Sequence, residues 1–523
     1  MVLSEMIYKL RTKAGLSQEK LAELCGVSRQ AVQKWETGNA LPELNNLVTI
    51  AKRFNVSLDN LVFDPSSRIQ DSLAYEISLK PQYSTMHVWE VYSRQLEVEY
   101  SQCYTEGKDI EQYKQLFDAV IALPVSEHKE KLADVLFNIQ HSLPTRVGYE
   151  YNEPNNYDEI RALCEGCEVT AYDKKTITDK IKGAWVGRIC GCLLGKPVEG
   201  IGLSDLTAFL KDTGNYPMTR YIHRSDFTKE VDEKYSYPRR DGFYPDSIVS
   251  APVDDDTNYT VLAQVLIEKY GRDFTPYDVS RVWLDFQPKN AYCTAERVAF
   301  RNFIDGYVPP YSAQYKNPYR EWIGAQIRAD YFGYINPGNP EKAAEMAYRD
   351  ACISHVKNGI YGEMWVAGMI AQSAVENDIT KIIKAGLRCI PQTSRLYKNV
   401  VAVIDAYEKG VSEKEIIADI HSRWDEKSSD WCHTISNAEI VTAALLWGKG
   451  DYGKSICMAV QACFDTDCNG ATVGSILGMR GGTKTISAVW KDAIRNKLQT
   501  SIFGVGEVNV DDVVATTVSH LEK

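Results

Sequence analysis

Over residues 1–64 apolar positions recur at helical spacing in short runs, each bounded by a residue suited to start or stop a helix. Ser17 is placed to cap a helix that buries Leu21 and Leu24, and Cys25-Gly26-Val27 makes a short turn. Ser28 is placed to cap a second helix with Ala31, Val32 and Trp35 on its apolar face, ended by Gly38 and Pro42. Leu44, Leu47, Val48, Ala51 and Phe54 form a longer amphipathic stretch, and Ser57 opens a last turn carrying Leu58 and Leu61. Asp64-Pro65-Ser66-Ser67 breaks the pattern as a linker would. Residues 68–165 are helical in pattern, rich in Tyr, Glu and Gln, and carry no chemical motif. They suit a helical connector or a dimerisation element.

From Thr176 the texture changes, with Gly183, Gly187, Gly191 and Gly195 recurring every fourth residue. Glycine at that spacing bares one helix face so that another backbone can approach. Arg188 and the short length argue against a membrane span, which leaves tight packing inside a large helical core. Residues 258–270, 341–356, 362–376 and 438–447 also read as helices, and strand signals are few. The expected fold is all-α: a small helical bundle (1–64), a helical connector (65–175) and a large helical domain (176–523).

A length of 523 residues fits two or three domains, and 44% hydrophobic with 25% charged residues fits a globular chain. The N-terminus has no h-region and no apolar run reaches membrane length, so a cytoplasmic protein with reduced thiols and no membrane contact is expected. Cys164/Cys167 has no second pair at zinc-finger spacing, and Cys190/Cys192 lies in an apolar glycine-rich helix. Neither pair points to metal or redox chemistry. The net charge of -11 confines any nucleic-acid contact to a local patch.

Such a patch is available near the N-terminus. The run SQEKLAELCGVSRQAVQKWETG resembles the helix-turn-helix of the phage-repressor (Cro/XRE-like) family. The resemblance implies a second helix lying in the major groove, with Arg29, Gln30 and Lys34 toward bases and Gln18 toward a phosphate. Residues 1–65 hold eight Lys+Arg against seven Asp+Glu. So weak a positive balance implies that DNA is gripped by a homodimer, and leaves open a bundle used for protein contact.

The chemistry of the large domain centres on two acidic strings. Asp254-Asp255-Asp256-Thr257 and Asp465-Thr466-Asp467-Cys468 each precede a helix. Helix capping explains one such string as well as metal binding does. Two strings about two hundred residues apart, with no His or paired Cys beside them, offer the oxygen-only ligands that Mg²⁺, Mn²⁺ or Ca²⁺ prefer, with zinc disfavoured.

Residues 177–523 resemble an ADP-ribosylglycohydrolase (the dinitrogenase-reductase-activating glycohydrolase family). The resemblance rests on KIKGAWVGRICGCLLGKPVEG, VDDDTNYT, ISHVKNGIYGEMWVAGMIA and FDTDCNGATVGSILGMRGG, in that order. It implies an orthogonal α-helical bundle around two Mg²⁺ ions held by Asp254, Asp255, Asp256, Asp465, Asp467 and Cys468. Asp254 and Cys468 stand where the family has threonines, which puts double occupancy in question. Glu199 and Asp256 are the implied catalytic carboxylates. His355, Gly359, Tyr361 and Gly324 are the implied substrate contacts. The implied reaction is hydrolysis at the anomeric carbon of an ADP-ribosyl group linked to nitrogen or oxygen. Two other readings stay open: a transcription regulator whose hydrolase-like domain senses ADP-ribose or a related nucleotide without turnover, and a protein scaffold built on the 68–165 helices.

Overall fold

The computed structural model describes residues 3–56, 58–62, 81–235 and 241–521. The expected Ser57 cap and the 64–67 linker lie outside them. The chain divides into two compact units, Met1–Gln82 and Tyr83–Lys523.

The first unit holds α1 (Leu3–Lys13), α2 (Gln18–Cys25), α3 (Arg29–Glu36), α4 (Leu44–Phe54) and α5 (Leu58–Val62). Its local chemistry follows the sequence closely. The Ser17 hydroxyl accepts from Lys20 N, Gly26 ends α2 at φ 67°, and the Ser28 hydroxyl accepts from Ala31 N. Each cap satisfies an end group that the helix itself cannot. Ile7, Leu21, Val32, Trp35 and Ile50 fill the core. On the polar side, Glu36 accepts hydrogen bonds from Arg11 and from Gln18, the latter at 2.8 Å.

In the second unit, helices Leu96–Thr105, Lys114–Ile121 and Glu127–Ser142 enclose their own small core around Leu96, Phe117 and Leu136. Buried ion pairs lock this part onto the large helical body. Arg320 reaches Glu99 at 2.9 Å and Glu106 at 2.6 Å, and Arg395 reaches Glu153 at 2.8 Å and Glu321 at 2.7 Å. Among the described residues, the only strands are Lys497–Gln499 and Glu507–Asn509, an antiparallel pair.

Two helices run through the centre of the body, Ile177–Gly195 and Thr466–Gly481, here called the first and second glycine helices. They pack antiparallel, backbone on backbone. A methyl added to Gly183, Gly187 or Gly191 would strike the carbonyl of Gly478, Gly474 or Gly470. The four-residue glycine spacing of the first helix therefore answers an equal spacing in the second. One association is invisible in the sequence: Cys167 Sγ lies 3.8 Å from Cys389 Sγ. Among the described residues, no helix is long and apolar enough to cross a membrane.

Candidate functional site

The antiparallel glycine register has a direct consequence. It sets the C-terminal end of the first glycine helix beside the N-terminal end of the second, where the Thr466 hydroxyl donates to the Gly195 carbonyl at 2.9 Å. Lys196 and Glu199, just beyond Gly195, are thereby brought against Asp465 and Asp467. Two consecutive left-handed residues, Cys463 (φ 63°) and Phe464 (φ 59°), turn the chain sharply into Asp465. Such backbone strain persists only where the surroundings enforce it. Here Asn437 Oδ1 accepts from Asp465 N at 3.0 Å and from Asn469 Nδ2 at 2.8 Å.

The other acidic string reaches the same place on the helix Asp255–Tyr270. Asp254 caps that helix, accepting from Asp256 N at 3.0 Å, so the capping role expected for the string is real. Its remaining oxygen faces Lys196 at 3.0 Å. Asp256 is fixed by Arg188, a fully buried residue of the first glycine helix. Arg188 donates to the Asp256 carbonyl at 2.9 Å and to its Oδ1 at 3.0 Å, and pairs with Asp330 at 2.7 Å. Asp256 Oδ2, Asp465 Oδ1 and Asp467 Oδ1 are buried with no hydrogen-bond partner.

Three close groups result, each with its ligand atoms within 4.8 Å of one another: Cys192, Asp254 and Asp256; Asp256, Asp467 and Cys468; and Glu199, Asp465 and Asp467. The structure thus brings together Asp254, Asp256, Asp465, Asp467, Cys468 and Glu199. Asp255 belongs to none of the three groups and sits half-buried beside them, near enough to feel Asp254 and Lys196. Burial, followed by repulsion from neighbouring carboxylates, pushes Asp255 and Asp465 well above the ordinary carboxylic range. Burial raises Asp256 in the same way, with Arg188 opposing it. Clustered carboxylates with unpaired buried oxygens are costly unless a cation joins them. The residues therefore fit a divalent cation.

Sequence reasoning missed Lys196. Its ammonium lies 2.7 Å from Asp467, 3.0 Å from Asp254 and 3.1 Å from Glu199. Burial opposes its charge, but Asp254 and Asp467 hold it well above the usual lysine range. Arg188, Cys192 and Cys432 were missed as well. The available signal was a second stripe: Arg188, Cys192 and Lys196 follow Gly187, Gly191 and Gly195 by one residue each, so they share a helix face. Nothing in the sequence marked Cys432, which donates to Asp465 Oδ2 at 3.4 Å.

The four expected substrate contacts lie in the same second unit. His355 is buried, with Nδ1 2.8 Å from the Ser354 hydroxyl and Nε2 unpartnered; burial pushes its imidazole well below the usual range. Gly359 packs against the Arg320 carbonyl and His355, with no room for a methyl. Tyr361 is fully buried and its hydroxyl donates to the Pro154 carbonyl. Gly324 packs against the Glu296 carboxylate. In the first unit Arg29, Gln30 and Lys34 are exposed on α3, and Gln33 shares their exposure. Arg29 pairs with Glu19 at 3.0 Å, and Gln18 is half-buried against Glu36.

Residues 173–517 match the family model described as ADP-ribosylglycohydrolase, and residues 7–61 match one described as helix-turn-helix. The chain is 44% identical over 62 residues to an HTH-type transcriptional activator, BcrR, of Enterococcus faecalis, covering 12% of this chain and 30% of that protein. It is 36% identical over 61 residues to an SPbeta prophage-derived HTH-type transcriptional regulator, YonR, of Bacillus subtilis (strain 168), covering 12% and 56%. It thus spans less than two thirds of either relative. A solved ADP-ribosylglycohydrolase-related protein complex aligns at 15% identity with a TM-score of 0.42, over 66% of this chain and 99% of that one.

Proposed function

The chain belongs to the ADP-ribosylglycohydrolase family, and from that premise we propose that it hydrolyses the N- or O-glycosidic bond of an ADP-ribosyl group with the help of divalent cations. The observation that carries this reading is the convergence of Asp256, Asp465 and Asp467, each with an unpaired buried oxygen, beside Glu199. Cations held among Asp254, Asp255, Asp256, Asp465, Asp467 and Cys468, two Mg²⁺ in the family pattern, would fix the ribose hydroxyls and lower the pKa of a nearby water. The protein's own groups do the rest. Arg188 holds Asp256 in one orientation, and the cluster's negative charge favours the positive character that grows on the sugar ring. Glu199, half-buried at the edge of the group, takes the proton of the attacking water. His355 and Gly324 belong to the proposed substrate side, with Gly359 and Tyr361 supporting it from the core.

The test is release of free ADP-ribose from an ADP-ribosylated substrate with Mg²⁺, with and without chelator. Asp467→Asn and Asp256→Asn are expected to abolish it, and full activity in either variant would remove this site from consideration. One feature favours a second reading: the Lys196 ammonium already occupies the cluster. A sensor would be stabilised thermally by ADP-ribose and yield no product from any ADP-ribosylated substrate.

Residues 1–64 are proposed to bind DNA as a homodimer, through Arg29, Gln30 and Lys34 on bases and Gln18 near a phosphate, with 65–175 as the helical link. A mobility-shift assay over a salt series should show the steep decline that phosphate contacts impose. Salt-independent binding would point to protein contact instead.

A further inference from the structure

Two of the three ligand groups include a sulfur. Cys468 joins Asp256 and Asp467, and Cys192 joins Asp254 and Asp256, with ligand atoms within 4.8 Å in both cases. A third thiol, Cys432, donates to Asp465. All three are buried, and they come from segments far apart in the chain. Of the three groups, that of Glu199, Asp465 and Asp467 offers oxygen alone, as the two acidic strings led one to expect, and the other two are mixed.

The groups differ in what they can still offer. Asp254 is committed to Asp256 N on one oxygen and to Lys196 on the other. Asp256 spends Oδ1 on Arg188 and keeps Oδ2; Asp467 spends Oδ2 on Lys196 and keeps Oδ1. Cys468 lies in the first turn of the sixteen-residue second glycine helix, and burial followed by the neighbouring carboxylates pushes its thiol well above the usual range, so a bound cation has to displace the proton. Two single carboxylate oxygens and one sulfur make three protein ligands, which leaves coordination positions for water or substrate. Thiolate is a poor partner for Mg²⁺ and a good one for borderline cations.

Resting on the metal reading above, we infer that this site takes a thiolate-accepting divalent cation of the Zn²⁺, Fe²⁺ and Co²⁺ class in preference to Mg²⁺, bound by Cys468 with Asp256 and Asp467. On binding, the Sγ–H bond breaks, a metal–sulfur bond forms and one proton leaves to solvent. No oxidation state changes.

Co²⁺ alone is the probe, added to the full reduced chain without air. Equilibrium dialysis counts bound ions, and near-ultraviolet absorption detects thiolate-to-Co²⁺ charge transfer. The wild type is expected to show the band. The near-isosteric Cys468→Ser and the bulkier Cys468→Thr are expected to reduce it about tenfold, and about a hundredfold molar excess of Mg²⁺ is expected to leave it in place. Cys167→Ser, which removes the thiol next to Cys389, is expected to keep the band. Binding of Co²⁺ without a band, a band that survives both Cys468 variants, or displacement by that excess of Mg²⁺ would overturn the inference while sparing the metal site. Absence of any bound Co²⁺ or Mg²⁺ in dialysis would remove both.

Discussion

Gly470→Ala sets helix propensity directly against tertiary packing, and the two predict opposite signs. In an isolated helix the change should stabilise by about 1 kcal/mol, because alanine has less backbone entropy to lose. In this fold the new methyl would lie 2.5 Å from the Gly191 carbonyl oxygen and 3.2 Å from a Val460 methyl. Ordinary contact begins near 3.4 Å, so the helices must separate by about 0.9 Å. Neither side can yield by a rotamer change, since the opposing atom is backbone. Overpacking of this kind costs roughly 1–3 kcal/mol. With the propensity gain of about 1 kcal/mol deducted, a net loss of up to about 2 kcal/mol is expected. For a unit the size of Tyr83–Lys523, an unfolding entropy of about 2.1 cal/mol/K per residue turns that loss into a Tm fall of up to about 2 °C. The same separation draws Asp467 from Lys196, so divalent-ion binding should weaken together with stability. Differential scanning calorimetry and dialysis read the two effects. A Tm that stays or rises, with ion binding unchanged, would refute the backbone-contact argument.

The remaining predictions concern charge. Arg188→Met should destabilise by about 3–5 kcal/mol, because Asp256 and Asp330 lose their shared buried partner; urea unfolding measures it, and a shift under 1 kcal/mol contradicts the assignment. Lys196→Met should tighten Mn²⁺ binding about tenfold or more by removing the competing ammonium, while unchanged or weaker binding in dialysis would show that the lysine does not compete. Burial works against the charge of Glu321, but Arg395 and His433 hold its carboxyl at about 2, below its ordinary value of 4.5. A depressed folded-state pKa contributes stability that is complete above pH 4.5 and is lost as pH falls toward 2. Acid unfolding should therefore steepen in that window, and Glu321→Gln should flatten it, as followed by circular dichroism.

Local features of this chain were legible before any fold was known, because each depends on residues within a turn or two of one another. The Ser17 and Ser28 caps, the left-handed Gly26 and the buried Val32 and Trp35 all follow from short-range hydrogen bonding and helical period. The glycine stripe from Gly183 to Gly195 announced a close backbone partner without naming it. The two acidic strings suggested one shared site through their carboxylate chemistry, and the family pattern then named its ligands. What the sequence withheld depends on register between distant segments. The antiparallel seating of the two glycine helices places Lys196 and Glu199 on Asp467 and Asp465, and fixes Asp256 through Arg188. Cys192 and Cys468 each bring a sulfur to one of the three ligand groups, Cys432 donates to Asp465, and Cys389 finds Cys167 across the fold. The physical reason is range. Capping and periodicity are written in neighbouring residues, whereas a cluster of charges and thiols exists only once packing has chosen which helix faces meet.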